Sequence, residues 1–211
     1  KNFTELATEQ KLKGTQDIYT TNNLADGKHV IKITAVDNVG NETKNEEVKT
    51  VTFYIDAKAP EITKPTIKPE NDNVKNSKEW YSGNVTVTTT ITNYIDGDKE
   101  LGVASGINNE SVIATITNTT TKKSYEVSNK CITVAEANGV WTASLNTSNL
   151  TLKTGGKVNL ADGNNDGKYT VTVTAKDNVE KTDVSEESEF CIDTKAPEIT
   201  KPTIKPENDN V

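Results

Sequence analysis

One stretch of this chain occurs twice. Residues 55–74 read I-D-A-K-A-P-E-I-T-K-P-T-I-K-P-E-N-D-N-V, and residues 192–211 repeat them with one change, Ala57 to Thr194. The second copy begins 137 residues after the first (192 against 55). Near-identity over such a length does not arise by chance, so whatever this stretch helps to fold, it helps to fold twice. Shorter matches extend the repeat backwards. Leu24-Ala25-Asp26-Gly27 matches Leu160-Ala161-Asp162-Gly163, the pattern of Val30–Val39 matches Thr170–Val179, and Phe53–Asp56 matches Phe190–Asp193. Three segments follow. Residues 1–58 are the C-terminal part of one repeat, 59–195 are one complete repeat, and 196–211 begin another with a linker and first strand. Tandem units of this kind are expected to act as spacers whose length scales with copy number, set against a plain domain duplication without a stalk.

Within the repeat the hydrophobic period is two. Val85, Val87 and Thr89 alternate with Thr86, Thr88 and Thr90; Val112, Ala114 and Ile116 alternate with Ile113, Thr115 and Thr117; Tyr169, Val171, Val173 and Ala175 alternate with Thr170, Thr172 and Thr174. Such runs are strands with one buried face. Asn118-Thr119, Asn138-Gly139, Gly155-Gly156, Asp166-Gly167 and Asp177-Asn178 supply turns between them. No segment sustains a helical period, so an all-β fold is expected, a sandwich of short strands. Pro60, Pro65 and Pro69 cannot donate to a central ladder, which makes 59–74 an edge strand, an extended linker, or both.

Composition narrows the function. The apolar fraction is 32%, a thin core that suits strands with one wet face better than a large enzyme with a deep pocket. All 24 basic residues are Lys and the net charge is −7, which opposes binding to nucleic acid and to anionic lipid. No apolar run is long enough to span a membrane, so no membrane insertion by this stretch is expected. No signal sequence opens it, so the signal and anchor of an exported protein would lie elsewhere.

Three marks, in order, carry a resemblance. Trp80-Tyr81-Ser82-Gly83-Asn84 opens an alternating Val-Thr strand; Ser105-Gly106-Ile107 precedes a later strand; and Asp166-Gly167-Lys168-Tyr169 begins a Val-Thr strand that leads to Ile192-Asp193-Thr194-Lys195-Ala196-Pro197. The first repeat adds the turn Asp37-Asn38-Val39-Gly40-Asn41. This set resembles the bacterial immunoglobulin-like tandem repeats of large cell-surface and secreted proteins. The resemblance implies an immunoglobulin-like β-sandwich in tandem, an extracellular location on a bacterial surface or in secretion, and a monomer. It implies no catalysis, but a structural stalk or spacer that projects a distal functional domain. The alternative is an adhesin module that recognises a host glycan or protein through loop insertions, which the repeat's length places in 94–104 and 128–160. Two positions depart from the pattern: His29 stands where the corner Tyr would be, and Glu180 replaces the turn Gly.

The candidate sites are few. Asp162, Asn164 and Asp166 form a D-x-N-x-D-G run like the first half of a calcium loop, yet Val173 stands where the closing Glu should be. Asp96 and Asp98 form a second oxygen cluster. Both are candidate calcium ligands, set against ordinary turn chemistry, and no cofactor is required. His29 is the only histidine and has no triad or zinc partner in the sequence. Trp80, Tyr81 and Trp141 could stack on a sugar but suit core packing. Alternation turns Cys191 away from Phe190 and Ile192, and Cys131 away from Ile132 and Val134, so both sulfurs are expected on the outer surface. A disulfide between Cys131 and Cys191, on adjacent strands, is the expectation for an exported protein.

Overall fold

The computed structural model describes residues 24–44, 48–70, 80–93 and 104–204. The fold is all-β: among the described residues the strands are accompanied by short 3-10 turns alone. The chain enters through an antiparallel hairpin of β1 (Gly27–Ile33) and β2 (Lys49–Ile55). Two short strands follow, β3 (Glu61–Ile62) and β4 (Thr66–Pro69). Next come β5 (Trp80–Tyr81), β6 (Val85–Thr92), β7 (Ile113–Asn118) and β8 (Ser124–Val127). Strands β9 (Thr133–Ala137) and β10 (Val140–Asn146) form a hairpin, and β11 (Leu150–Thr151) and β12 (Lys157–Val158) a small ladder. The described strands close with β13 (Gly167–Lys176), β14 (Thr182–Val184) and β15 (Ser188–Ile192).

Two larger sheets organise eleven of these strands, apart from the separate β1-β2 and β11-β12 pairs. In one, β6 takes β3 and β4 on one side and β10 on the other, with β9 beyond β10. In the other, the order is β5-β15-β13-β7-β8, and β14 also pairs with β13. The expected alternation holds along the central strands. Val85, Val87, Thr89 and Ile91 of β6 are buried, and so are Tyr169, Val171, Val173 and Ala175 of β13. Thr86, Thr88, Thr172 and Thr174 between them are partly exposed. One apolar core joins both sheets: Val87 and Leu145 face it from the first, Ile116, Val171 and Phe190 from the second. The β-branched side chains that favour the pleat also fill it.

The proline-bearing stretch lies at an edge, as expected. Ile62 pairs with Ile91, Ile67 with Val87 and Pro69 with Val85, all against β6. Residues 128–160, expected as a loop insertion, are mostly framework. β9 and β10 lie in the first sheet, joined by a two-residue turn at Asn138 (φ 53°) and Gly139 (φ 74°). Both centres lie in the left-handed region, the geometry whose twist fits a tight hairpin. The period-2 signal was present in Val140–Asn146, but repeat length alone does not distinguish an added loop from an added strand pair. The other expected insertion, with Asp96 and Asp98, lies outside the described residues.

The hairpin of β1 and β2 contrasts with the two-sheet body. Val30, Ile33, Val51 and Tyr54 are 42–56% exposed, whereas Phe190 is fully buried. Phe190→Ala should therefore destabilise the chain by about 3–5 kcal/mol, while Tyr54→Ala, at the position before Ile55 in the closing strand of the other repeat, should cost roughly 0.5 kcal/mol or less. Urea denaturation followed by tryptophan fluorescence measures both; equal costs would contradict the core assignment.

Candidate functional site

The two copies build the same corner. Gly27 pairs with Ile55, Lys28 with Tyr54 and His29 with Phe53; Gly167 pairs with Ile192, Lys168 with Cys191 and Tyr169 with Phe190. The register is identical. His29 stacks on Phe53 with ring centroids 5.3 Å apart, and Tyr169 stacks on Phe190 at 5.4 Å. His29 Nε2 lies 2.7 Å from the Ala25 carbonyl, and the Tyr169 hydroxyl donates to the Asn165 carbonyl, each four residues upstream. A histidine thus occupies the corner in the Tyr's own geometry, because an aromatic face and one polar tip are all that the position requires.

Below each corner sits a carboxylate. Asp26 Oδ1 accepts from Ala57 N at 3.1 Å, and Asp166 Oδ2 accepts from Thr194 N at 2.9 Å. Thr194 Oγ1 also donates to the Asp166 carboxylate at 2.9 Å, which gives the single difference between the two long copies a physical role. Asp26 is therefore the counterpart of Asp166, a correction to the sequence match with Asp162. The second copy carries an inserted turn ahead of the corner, and the flanking Asp-Gly pairs look alike in sequence.

The structure places Asp162, Asn164 and Asp166 in one loop, where Asp162 caps the turn and Asp166 caps the corner. Asp162 Oδ1 accepts from the backbone N–H of Asn164 (2.8 Å) and Asn165 (2.9 Å), and its Oδ2 from Asn165 Nδ2 (3.1 Å). Among the described residues no three His, Cys, Asp or Glu side chains gather as a metal-binding group. Asp96 and Asp98 lie outside those residues.

The Asp-Asn turn also repeats. Asp37 Oδ1 accepts from Val39 N and Asn41 N, as Asp177 Oδ1 does from Val179 N and Lys181 N. Gly40 has φ 91°, and Glu180 takes the equivalent place at φ 68°. Glu180 is therefore a non-glycine residue held in the left-handed region, beside an exposed 2.7 Å ion pair with Lys176. In the first copy Asn41 Nδ2 also donates to Asp37 Oδ2 at 2.7 Å. Lys181 replaces that Asn, and Asp177 Oδ2 is buried without a hydrogen bond. The backbone and side-chain donors of Asn41 hold the Asp37 carboxyl below its ordinary range. Its contribution to the turn is present above the unfolded carboxylate pKa and fades as pH falls through the folded value.

The structure does not show the expected disulfide: Cys131 and Cys191 are not bonded to each other. Alternation places Cys191 correctly, between buried Phe190 and Ile192 and facing the other way. The strands beside it, however, present Lys168 and Trp80. Cys131 is not on a strand. It ends the 3-10 turn Asn129–Cys131, packs against the core, and its sulfur accepts from Thr151 N at 3.1 Å. The turn breaks the period-2 rule on which an outward sulfur depended, and the two residues are not on adjacent strands.

Sequence reasoning missed one further knot of polar groups. Asp56, just past β2, reaches the two-sheet body, where its Oδ2 accepts from Ser105 N at 2.8 Å and Asn93 Nδ2 at 3.1 Å. Asn93 is only 3% exposed, and its amide also reaches Ser105 Oγ at 3.3 Å and the Gly106 carbonyl at 3.5 Å. Gly106 (φ 81°) passes close under the Trp141 ring and Asn178, whose side chain donates to the Ser105 carbonyl at 2.7 Å. Asn93, Gly106, Glu136, Asn138 and Trp141 line an open cleft of about 510 Å³ beside this knot. Asp56 lies inside the long duplicated stretch, which was the available signal; its partners come from positions that no local pattern connects. No model of a known protein family matches the sequence, and no curated protein sequence matches it.

Two variants probe these features. Glu180→Gly with Lys181→Asn restores the first copy's turn, removing left-handed strain and supplying Asp177 Oδ2 with a donor. It should stabilise by about 1–2 kcal/mol, read as a higher urea midpoint; an unchanged or lower midpoint contradicts the turn analysis. Burial raises the Tyr169 phenol's pKa above its ordinary value. A phenol with a raised folded pKa contributes stability that is present below about pH 10 and lost as pH rises through the folded value. Tyr169→Phe should cost about 1 kcal/mol at neutral pH and make the alkaline loss of stability shallower; an unaltered alkaline profile would remove Tyr169 from that titration.

Proposed function

We propose that the chain is part of a tandem array of immunoglobulin-like β-sandwich repeats, acting as a stalk or spacer on a bacterial cell surface or in a secreted multidomain protein. The observation that carries the reading is the twofold construction of one corner. Strand register, ring stacking, the upstream carbonyl contact and the carboxylate cap recur in both copies. A module selected for one ligand has no need to reproduce its framework along the same chain, whereas a spacer gains length with every copy. The role is structural and not catalytic, and the chain acts as a monomer whose partners are its own neighbouring repeats. Residues 1–58, 59–195 and 196–211 are the parts of successive units.

Chains lengthened by one, two and three further repeat units test this. Small-angle scattering should give a maximum dimension that grows by a constant increment per unit, with the melting temperature nearly constant. Collapse to a compact particle would overturn the stalk reading. The cleft beside Trp141 favours the second reading, an adhesin module for a host glycan or protein. Saturable binding on a glycan array that Trp141→Ala abolishes, with the fold intact, would replace the stalk with that reading.

Calcium is an accessory in this proposal. Asp162 and Asp166 already cap the corner through the chain's own donors, and an ion held by the loop with Asn164 would tighten what is formed. Millimolar calcium should therefore raise the melting temperature over that in chelator, since binding to the folded state alone stabilises it. Superimposable melting curves would remove calcium and leave the stalk standing.

A further inference from the structure

Asp56 spans a boundary. It follows β2 of the first hairpin, yet its carboxylate accepts from Ser105 N (2.8 Å) and Asn93 Nδ2 (3.1 Å) at the end of the two-sheet body. Its counterpart is Asp193, in the same I-D-x-K-A-P sequence, and Asp193 is exposed. The segments that follow the two aspartates share their sequence but not their surroundings. Ile62 and Ile67 pack against the core from β3 and β4, opposite Ile91 and Val87. Their counterparts Ile199 and Ile204 are 92% and 94% exposed. Two exposed isoleucines in a proline-bearing segment, with the sequence of an edge strand, constitute an uncovered apolar surface.

We propose that Asp193 and residues 196–204 form a docking element for the rest of the next unit, a further copy of residues 75–195. Asp193 takes that copy's counterparts of Ser105 N and Asn93 Nδ2, while Ile199 and Ile204 lie on its counterpart of β6. This deepens the array reading and rests on it: each closing aspartate is a latch that fixes how one repeat sits on the next. The occupant is a copy in the same chain and not a second molecule. In a second molecule the matching edge of β6 is already covered by that molecule's own β3 and β4. A copy joined through the linker also arrives at high effective concentration. A charged acceptor holding a backbone N–H and a buried amide is a stronger and more directional tie than an apolar contact alone, so the joint is stiff where Asp56 engages.

Two measurements test the proposal by amide hydrogen exchange. In the chain as it stands, Asp56→Ala should speed exchange at Ser105 by about tenfold or more, while amides of β13 stay protected. Asp56→Asn, which keeps an acceptor oxygen, should restore part of the protection. The second uses the chain continued after Val211 by another copy of residues 75–195. There the Thr200 amide should become as protected as that of Thr63, which donates to the Thr90 carbonyl at 2.9 Å. Adding Asp193→Ala should speed exchange at the new copy's counterpart of Ser105. Unchanged Ser105 exchange in Asp56→Ala overturns the latch, and a Thr200 amide still unprotected in the lengthened chain overturns the docking. In either case lengthened chains that still gain a constant increment in scattering would retain the stalk reading, with its repeats strung as independent beads.

Discussion

The fold depends on β13. Like β6, it pairs with three strands, β15 and β7 along its sides and β14 at its end. Its inward residues Tyr169, Val171, Val173 and Ala175 are at most 3% exposed. Each inward position excludes water from a face that the first sheet closes from the opposite side, through Val87 and Leu145. A slip of one residue would turn this entire row outward, so burial fixes register here more firmly than any single hydrogen bond. The corner at Tyr169 completes the constraint: the ring is in the core while the hydroxyl ties the strand to the loop that delivers it.

Polar groups then decide what burial leaves open. Ser111 donates to the Lys176 carbonyl and accepts from Lys176 N, and Ser188 Oγ donates to the Pro65 carbonyl. These contacts join segments far apart in the chain, where unpaired backbone groups would be costly. Pro65 cannot continue a ladder, but its carbonyl can accept, so the proline stretch is held across the sheets as well as along β6. The first hairpin has the same local rules and far less burial. Its corner forms through His29, Phe53 and Asp26, with Val30, Ile33 and Val51 substantially exposed.

Differences between the copies are as informative as their likeness. Thr194 adds a hydroxyl contact that Ala57 lacks, whereas Glu180 and Lys181 lose the glycine and the amide that suit the turn in the first copy. A turn can tolerate such losses where its strands are anchored, as β13 is by the core and β14 by its pairing with β13. The same logic assigns Asp56 its importance: it is the carboxylate that the segment after β2 places on the two-sheet body.

The sequence by itself determined the all-β character, the faces of β6, β7 and β13, the turns, and the correspondence of the two copies. All follow from local periodicity and turn chemistry, which depend on neighbours in the chain. It also located the corner and its substitution by His29. Only the tertiary structure decided that 133–146 is framework, that Asp26 answers to Asp166, that Cys131 lies in a 3-10 turn away from Cys191, and that Asp56 meets Asn93 and Ser105. Each of these depends on which distant segments become neighbours, and period-2 alternation, which says only in or out, carries no information about that choice.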